Sequence, residues 1–428
     1  MKALIRSIRS GHPGSLFAAF LYFDVSFMVW VLVGALGVFI AQDLKLSATQ
    51  KGLMVAIPLL GGAAFRILVG NLCDRFGPKK MGITTLAVIL IPLLWGWRAA
   101  ETFDQILGLG LLLGIAGASF AVALPLASRW YPPEHQGVAM GIAGAGNSGT
   151  MIAVLVAPRL AERYGWHLVF GLAIIPVIAV LLVFSLLAKE RPDPGAGSAG
   201  KGASLSLMGL LAQGDIWWFN LFYSVTFGGF VGLSSFLGIF FHDQYAFSKV
   251  MASNLTALCV FGGSFFRPVG GYLADRIGGL KLLCVLYALA AASLLTVSLL
   301  PPIPVVVGAL FLAMLFLGMG NGAVFQLVPQ RFGHAIGAVS GVVGAAGGIG
   351  GFFLPSMLGG LKDLTGGYSA GFAVASFFGL ICLSCLLRYR TQWERRWLPR
   401  SPEEPISPLS PQMLLAHSRV EMKVFTNG

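Results

Sequence analysis

Gly61-Gly-Ala-Ala-Phe-Arg66-Ile-Leu-Val-Gly-Asn-Leu-Cys-Asp74-Arg-Phe-Gly77 returns without a gap as Gly262-Gly-Ser-Phe-Phe-Arg267-Pro-Val-Gly-Gly-Tyr-Leu-Ala-Asp275-Arg-Ile-Gly278, with nine identities in seventeen positions at a constant offset of 201. Chance does not preserve that much, so the chain contains a duplicated unit. A fainter echo at offset 200 pairs Gly137, Gly141, Gly144 and Ala145 with Gly337, Gly341, Gly344 and Ala345. Each long copy carries an apolar stretch into an Asp-Arg-x-Gly boundary in the same sense. The repeat is therefore parallel, about an axis along the normal of a membrane, an arrangement whose halves rock about a midplane site.

A membrane is required by composition. Of 428 residues, 56% are hydrophobic and 11% charged, with 57 glycines and 32 phenylalanines, and the mean hydropathy is +0.81. A water-soluble enzyme is excluded. Twelve apolar blocks, at about 15 to 41, 50 to 72, 82 to 100, 105 to 128, 136 to 158, 165 to 188, 216 to 241, 250 to 274, 281 to 300, 303 to 330, 335 to 361 and 368 to 388, are each long enough to cross roughly 30 Å of hydrocarbon as a helix. The expected fold is an all-α membrane protein of twelve transmembrane helices in two pseudo-symmetric six-helix bundles. Residues 1–188 form the first bundle, 189–213 a cytoplasmic linker rich in Pro, Gly and Ser, and 214–388 the second bundle. Residues 389–428, with Ser-Pro at 401, 407 and 410, form a disordered cytoplasmic tail. The first block is too long for a signal-peptide core and reads as the first span.

The net charge of +12 reports orientation rather than nucleic-acid binding. With the N-terminus inside, 20 of 29 Lys and Arg fall on the cytoplasmic side and seven outside, the asymmetry of an even number of spans with both termini in the cytoplasm. Five cysteines, Cys73, Cys259, Cys284, Cys382 and Cys385, lie in or beside spans and imply no disulfide framework. Gly195-Ala-Gly-Ser-Ala-Gly-Lys201-Gly202 imitates a phosphate-binding loop but lacks the closing hydroxyl that would hold magnesium, and no strand precedes it. No enzyme activity, cofactor or metal is expected. The expected partners are the lipid bilayer and a small anion, with the chain a monomer.

Arg66 and Arg267 are the two basic residues left inside apolar blocks. Each precedes its Asp-Arg boundary by eight residues, about 12 Å of helix, which places both near the bilayer middle. A charge there costs at least about 2.5 to 3.5 kcal/mol, and two repel, so something anionic should visit them. Internal salt bridges are the competing reading, but the spans offer one deep acid, Asp24. Planar forks suit a small oxyanion that accepts hydrogen bonds in its own plane.

The segments at 70–77 and 271–278 resemble the loop motif of the major facilitator superfamily, in which Asp and Arg latch helices in one gating state. On that resemblance Asp74, Arg75, Asp275 and Arg276 are gating residues; helix capping and topology are the alternative. Together with Ala143-Gly-Ala-Gly-Asn147-Ser-Gly149 and Gly344-Ala-Ala-Gly-Gly-Ile-Gly-Gly-Phe-Phe-Leu-Pro355, the arginine segments look like the signatures of the nitrate/nitrite porter family within that superfamily, over nearly all of residues 15–388. The resemblance implies that Arg66 and Arg267 clamp the planar anion. It also implies that Phe120, Tyr223 and Phe227 supply rings, and that Tyr223 and Asn147 add polar contacts. Depth agrees: counted from the cytoplasmic ends, Phe120, Tyr223, Phe227 and Asn147 lie roughly 11 to 17 Å in, at the level of the arginines.

Asp24, about 13 Å into the first span, has three readings: a proton carrier, a structural counter-ion to an arginine, or a lipid-facing position. The family implied by the resemblance includes nitrate/nitrite exchangers, which need no titratable group, and proton-coupled importers, which would use one. The expected function is therefore secondary transport of nitrate, and of nitrite, across the cytoplasmic membrane, by exchange or proton coupling. A carrier of another small anion such as cyanate or a short carboxylate, a non-transporting anion sensor, and an anion channel are the other readings weighed.

Overall fold

The computed structural model describes residues 10–190, 207–332 and 336–397. Most of the expected linker, the phosphate-loop-like segment within it, and the tail beyond residue 397 that is expected to be disordered lie outside the described residues. Among the described residues, those up to Arg390 form one compact unit and those from Thr391 another.

Among the described residues, twelve helices are long and apolar enough to span a bilayer: α1 Pro13–Trp30, α2 Ala48–Phe76, α3 Pro78–Arg98, α4 Phe103–Ser128, α5 Ala139–Tyr164, α6 Trp166–Leu187, α7 Gly214–Tyr245, α8 Lys249–Ile277, α9 Gly279–Ser298, α10 Ile303–Phe332, α11 Ala338–Thr365 and α12 Ser369–Arg395. Their starts are written locally. Ser47 and Thr102 each close a capping box with a glutamine three residues on, satisfying the free amides that open α2 and α4. Four glycines with φ between 79° and 91° turn the chain from one span into the next. They form two pairs, Gly77 with Gly278 and Gly165 with Gly366, both at the repeat offset of 201, so the duplication is preserved in the backbone turns as well as in the side chains.

Packing follows the same repeat. The α2 helix lies along α11 and α8 against α5, so each member of one arginine-bearing pair is matched with a glycine-rich helix from the other half of the sequence. Glycine permits the approach. A Cβ on Gly52 would lie 2.3 Å from the Pro355 carbonyl oxygen, and one on Gly348 would lie 2.9 Å from the Ala63 methyl. Hydrogen bonds tie the two sequence halves on the face away from residues 190 and 207, here the far face. Lys51 donates to Asp243 at 2.7 Å, Gln42 bonds His242 at 2.7 Å, and Asp363 accepts from the Ala48 and Thr49 amides at 3.2 and 2.7 Å. Asp363 thus caps α2 from the end of α11, a carboxylate on the positive end of a helix.

Candidate functional site

Four of the twelve expected spans are interrupted, and in each of them an interruption falls beside a residue of interest. The first expected span is three helical pieces, broken at Val31 directly after Trp30. The α4 helix breaks at Ala118 and Ser119, just before Phe120. In α5, Ala145–Ser148 tightens into a 3-10 turn that carries Asn147. The α8 helix restarts at Arg267, where Pro268 supplies no amide to continue the ladder. Broken helices at membrane depth leave polar backbone groups to be used and are tolerated only inside the protein.

Arg66 uses one of them. It is 2% exposed, and its guanidinium donates to the Gly117 carbonyl, left available by the α4 break, at 2.8 Å. A second donation crosses to the Gly344 carbonyl on α11, joining the two sequence halves through one side chain. Its Nε has no hydrogen-bond partner among the described residues. Three aromatic faces surround the charge: the guanidinium carbon lies 5.8 Å from Trp30, 5.8 Å from Phe120 and 5.6 Å from Phe227. No carboxylate pairs with Arg66 or Arg267 among the described residues, so the salt-bridge reading of these arginines does not hold, nor does that of Asp24 as their counter-ion.

The expected binding residues converge. Tyr223 and Phe227, one turn apart on α7, stack at 5.0 Å with planes 4° apart, and both arginines lie within electrostatic reach of the Tyr223 hydroxyl. Arg267 is half-buried, with its guanidinium carbon 5.8 Å from the ring of Phe325 on α10. That ring also meets Phe120 at 5.4 Å and Tyr223 at 4.9 Å, edge to face, and so closes the wall between the two arginines. Asn147 is buried, donates to Ser264 of α8 at 3.4 Å, and leaves its Oδ1 without a partner among the described residues.

Phe325 and Trp30 were missed from sequence. The signal for Phe325 was present, since Gly322-Ala-Val-Phe325 repeats Gly117-Ala-Ser-Phe120. Trp30 had none: it fits only because Gly62 and Gly117, distant in sequence, leave a slot in which any Cβ would fall 2.7 and 2.4 Å from its ring. Its indole nitrogen donates to the Pro58 carbonyl at 2.7 Å.

Asp24 stands apart from the arginines. It accepts from Ser148 at 2.6 Å, next to Asn147, where α1 and α5 pass so closely that a Cβ on Gly149 would lie 1.9 Å from the Asp24 backbone oxygen. The expected gating residues lie at the face bearing residues 190 and 207. Asp74 reaches Arg129, the residue that follows α4, at 3.9 Å, and Arg75 covers Phe76 at 5.2 Å. Arg276 covers Tyr272 at 4.8 Å, while Asp275 is exposed. Among the described residues no group of acidic, His and Cys side chains is arranged to hold a metal.

Residues 18–355 match the family model described as Major Facilitator Superfamily. The chain is 34% identical over 375 residues to a protein of Bacillus subtilis named nitrite extrusion protein, covering 86% of this chain and 94% of that protein. It is also 34% identical over 351 residues to the probable nitrate/nitrite transporter NarK2 of Mycobacterium tuberculosis, covering 79% and 86%. Among solved structures, a bacterial homologue of the human lysosomal transporter Spinster, in an inward-facing and unoccupied conformation, superposes with a TM-score of 0.68 at 20% identity, over 90% of this chain and 98% of that one. That likeness concerns the fold.

Proposed function

Because the chain belongs to the major facilitator superfamily and, within it, to the nitrate/nitrite porter family, we propose that it carries nitrate and nitrite across the cytoplasmic membrane by alternating access, with Arg66 and Arg267 as the anion clamp. The observation that carries the reading is an arginine 2% exposed, walled by aromatic rings and paired with no carboxylate among the described residues, in a chain whose relatives bear the names of nitrate and nitrite carriers. A buried, unpaired guanidinium is costly, and a monovalent oxyanion between two of them removes the cost while using their planar donors. Phe120, Phe227 and Phe325 exclude water, while Tyr223 and Asn147 complete the donors.

In this proposal the two six-helix halves rock about the site, and Asp74, Arg75, Asp275 and Arg276 govern closure at the cytoplasmic face. That face is the one bearing residues 190 and 207, as the bias of basic residues supports. The far face, tied by Lys51, Asp243 and Asp363, is then the outer one.

Energetics limits the mode. Importing one nitrate against an inside-negative potential costs about 2.3 kcal/mol per 100 mV, which export of one nitrite or import of one proton cancels. An empty pocket keeps two uncompensated cations in a dry barrier, which disfavours reorientation of the unloaded carrier and favours exchange. Asp24, bonded to Ser148 beside Asn147, is the group through which a proton would act.

The test is uptake of labelled nitrate into liposomes containing the purified protein and internal nitrite, with and without a pH gradient. Saturable uptake that depends on internal nitrite is expected, and its absence refutes the reading. Uptake indifferent to the pH gradient would remove Asp24 from a coupling role and leave exchange.

A further inference from the structure

We propose that Asn321 on α10 is a second amide of the anion pocket, donating to the guest from the second half of the sequence as Asn147 does from the first; the inference rests on the carrier reading above. Its backbone neighbours determine where it points. Met319 and Gly322 abut α8: a Cβ on Gly270 would lie 2.1 Å from the Met319 carbonyl oxygen, and one on Gly322 would lie 2.3 Å from that of Arg267. Leu317 and Gly320 abut α7, at Gly229 and at Thr226. At about 100° per residue, position 321 falls in the notch between these two faces. Phe325, one turn away, shares that notch, and its ring lies against Tyr223 and beneath Arg267.

The chemistry of the position points the same way. Asn321 is 1% exposed, and its Oδ1 is sealed without a hydrogen-bond partner among the described residues. Two buried hydroxyls of α7 satisfy themselves on their own helix, Thr226 on the Phe222 carbonyl and Ser234 on that of Phe230. Asn321 does not, and a buried amide left without a partner is a standing cost unless a guest relieves it.

The guest's needs match. A planar trigonal oxyanion offers about six in-plane acceptor positions, and two of the Arg66 donors are already committed to Gly117 and Gly344. A neutral amide adds a donor without adding a third positive charge to a site built for a monovalent ion. Its two ends exchange by rotation, and a guest that only accepts selects the NH2 end.

The experiment compares the purified wild type with Asn321→Leu and the isosteric Asn321→Asp, by calorimetric titration with sodium nitrate and by thermal melting without anion. Asn321→Leu should weaken nitrate binding at least about tenfold, the lower end of what a hydrogen bond to a charged group contributes. Its anion-free melting temperature should equal or exceed that of the wild type, because an unpaired buried amide has been removed. Asn321→Asp, which replaces the donor with a negative charge between the arginines, should weaken binding by more than about a hundredfold. Nitrate affinity within twofold of wild type in Asn321→Leu overturns the inference, and so does a lower melting temperature with affinity kept, which marks a structural amide. A wild type that responds to neither nitrate nor nitrite overturns the carrier reading itself, and the two failures are thereby told apart.

Discussion

Arg66 is held rather than merely buried. A long cationic side chain on a helix in a bilayer ordinarily reaches for the interface, but here two backbone carbonyls and three rings keep the charge central. Geometry therefore matters as much as charge. Arg66→Lys preserves the charge but not the fork, and nitrate affinity measured by calorimetry should fall at least about a hundredfold; an unchanged value would dissolve the clamp. The supports of Arg66 are open to test independently. Gly62→Ala would place a methyl 2.7 Å from the Trp30 ring, and the indole must move off the Pro58 carbonyl. A loss of about 1 to 3 kcal/mol of stability, read as a lower melting temperature, is expected.

Among the helices, interruption and glycine do complementary work. The breaks at Val31, at Ala118, at Ala145–Ser148 and before Arg267 bring Trp30, Phe120, Asn147 and Arg267 to one region and free the Gly117 carbonyl for Arg66. The glycines of α11 let that helix lie on α2 and α7 at once, with Gly350 so close to α7 that a Cβ would fall 2.1 Å from the Ser224 carbonyl oxygen, whereas a Cβ on Gly341 would meet no neighbouring element within 4 Å among the described residues. The two positions should behave oppositely. Gly350→Val should abolish nitrate counterflow by forcing α7, with Tyr223 and Phe227, off α11. Gly341→Ala should leave transport within about twofold and stabilise by up to about 1 kcal/mol, since alanine is the better helix former.

Across the whole molecule, the far face is closed by ties that alternating access must break. Lys51 and Lys362 both approach Asp243, at 2.7 and 3.5 Å, and Asp363 holds the start of α2 through two amides and the Thr49 hydroxyl. Individually exposed pairs contribute little, but these act together on one opening motion. The double variant Asp243→Asn/Asp363→Asn should shift the population toward a far-face-open form. Ser235→Cys, 2% exposed and packed on Gly34, reports it through labelling by a membrane-impermeant thiol reagent. A rise of about tenfold in labelling rate is expected, and an unchanged rate would show that closure is held elsewhere.

Hydropathy and one duplicated segment were enough to read twelve spans and a parallel repeat from the chain itself, because crossing hydrocarbon demands length and apolarity from each helix alone. The same duplication singled out Arg66 and Arg267, since a charge in an apolar block is visible without knowing its neighbours. The resemblance named Phe120 and Phe227, but that Trp30 and Phe325 also face those charges was decided only in three dimensions. With 32 phenylalanines, composition cannot separate a pocket wall from packing, and Trp30, Phe325 and Asn321 acquire their surroundings from helices far away in sequence. The partners of Arg66, too, are backbone carbonyls, which every residue possesses, so only the local breaks and crossings of the folded chain determine which of them are within reach.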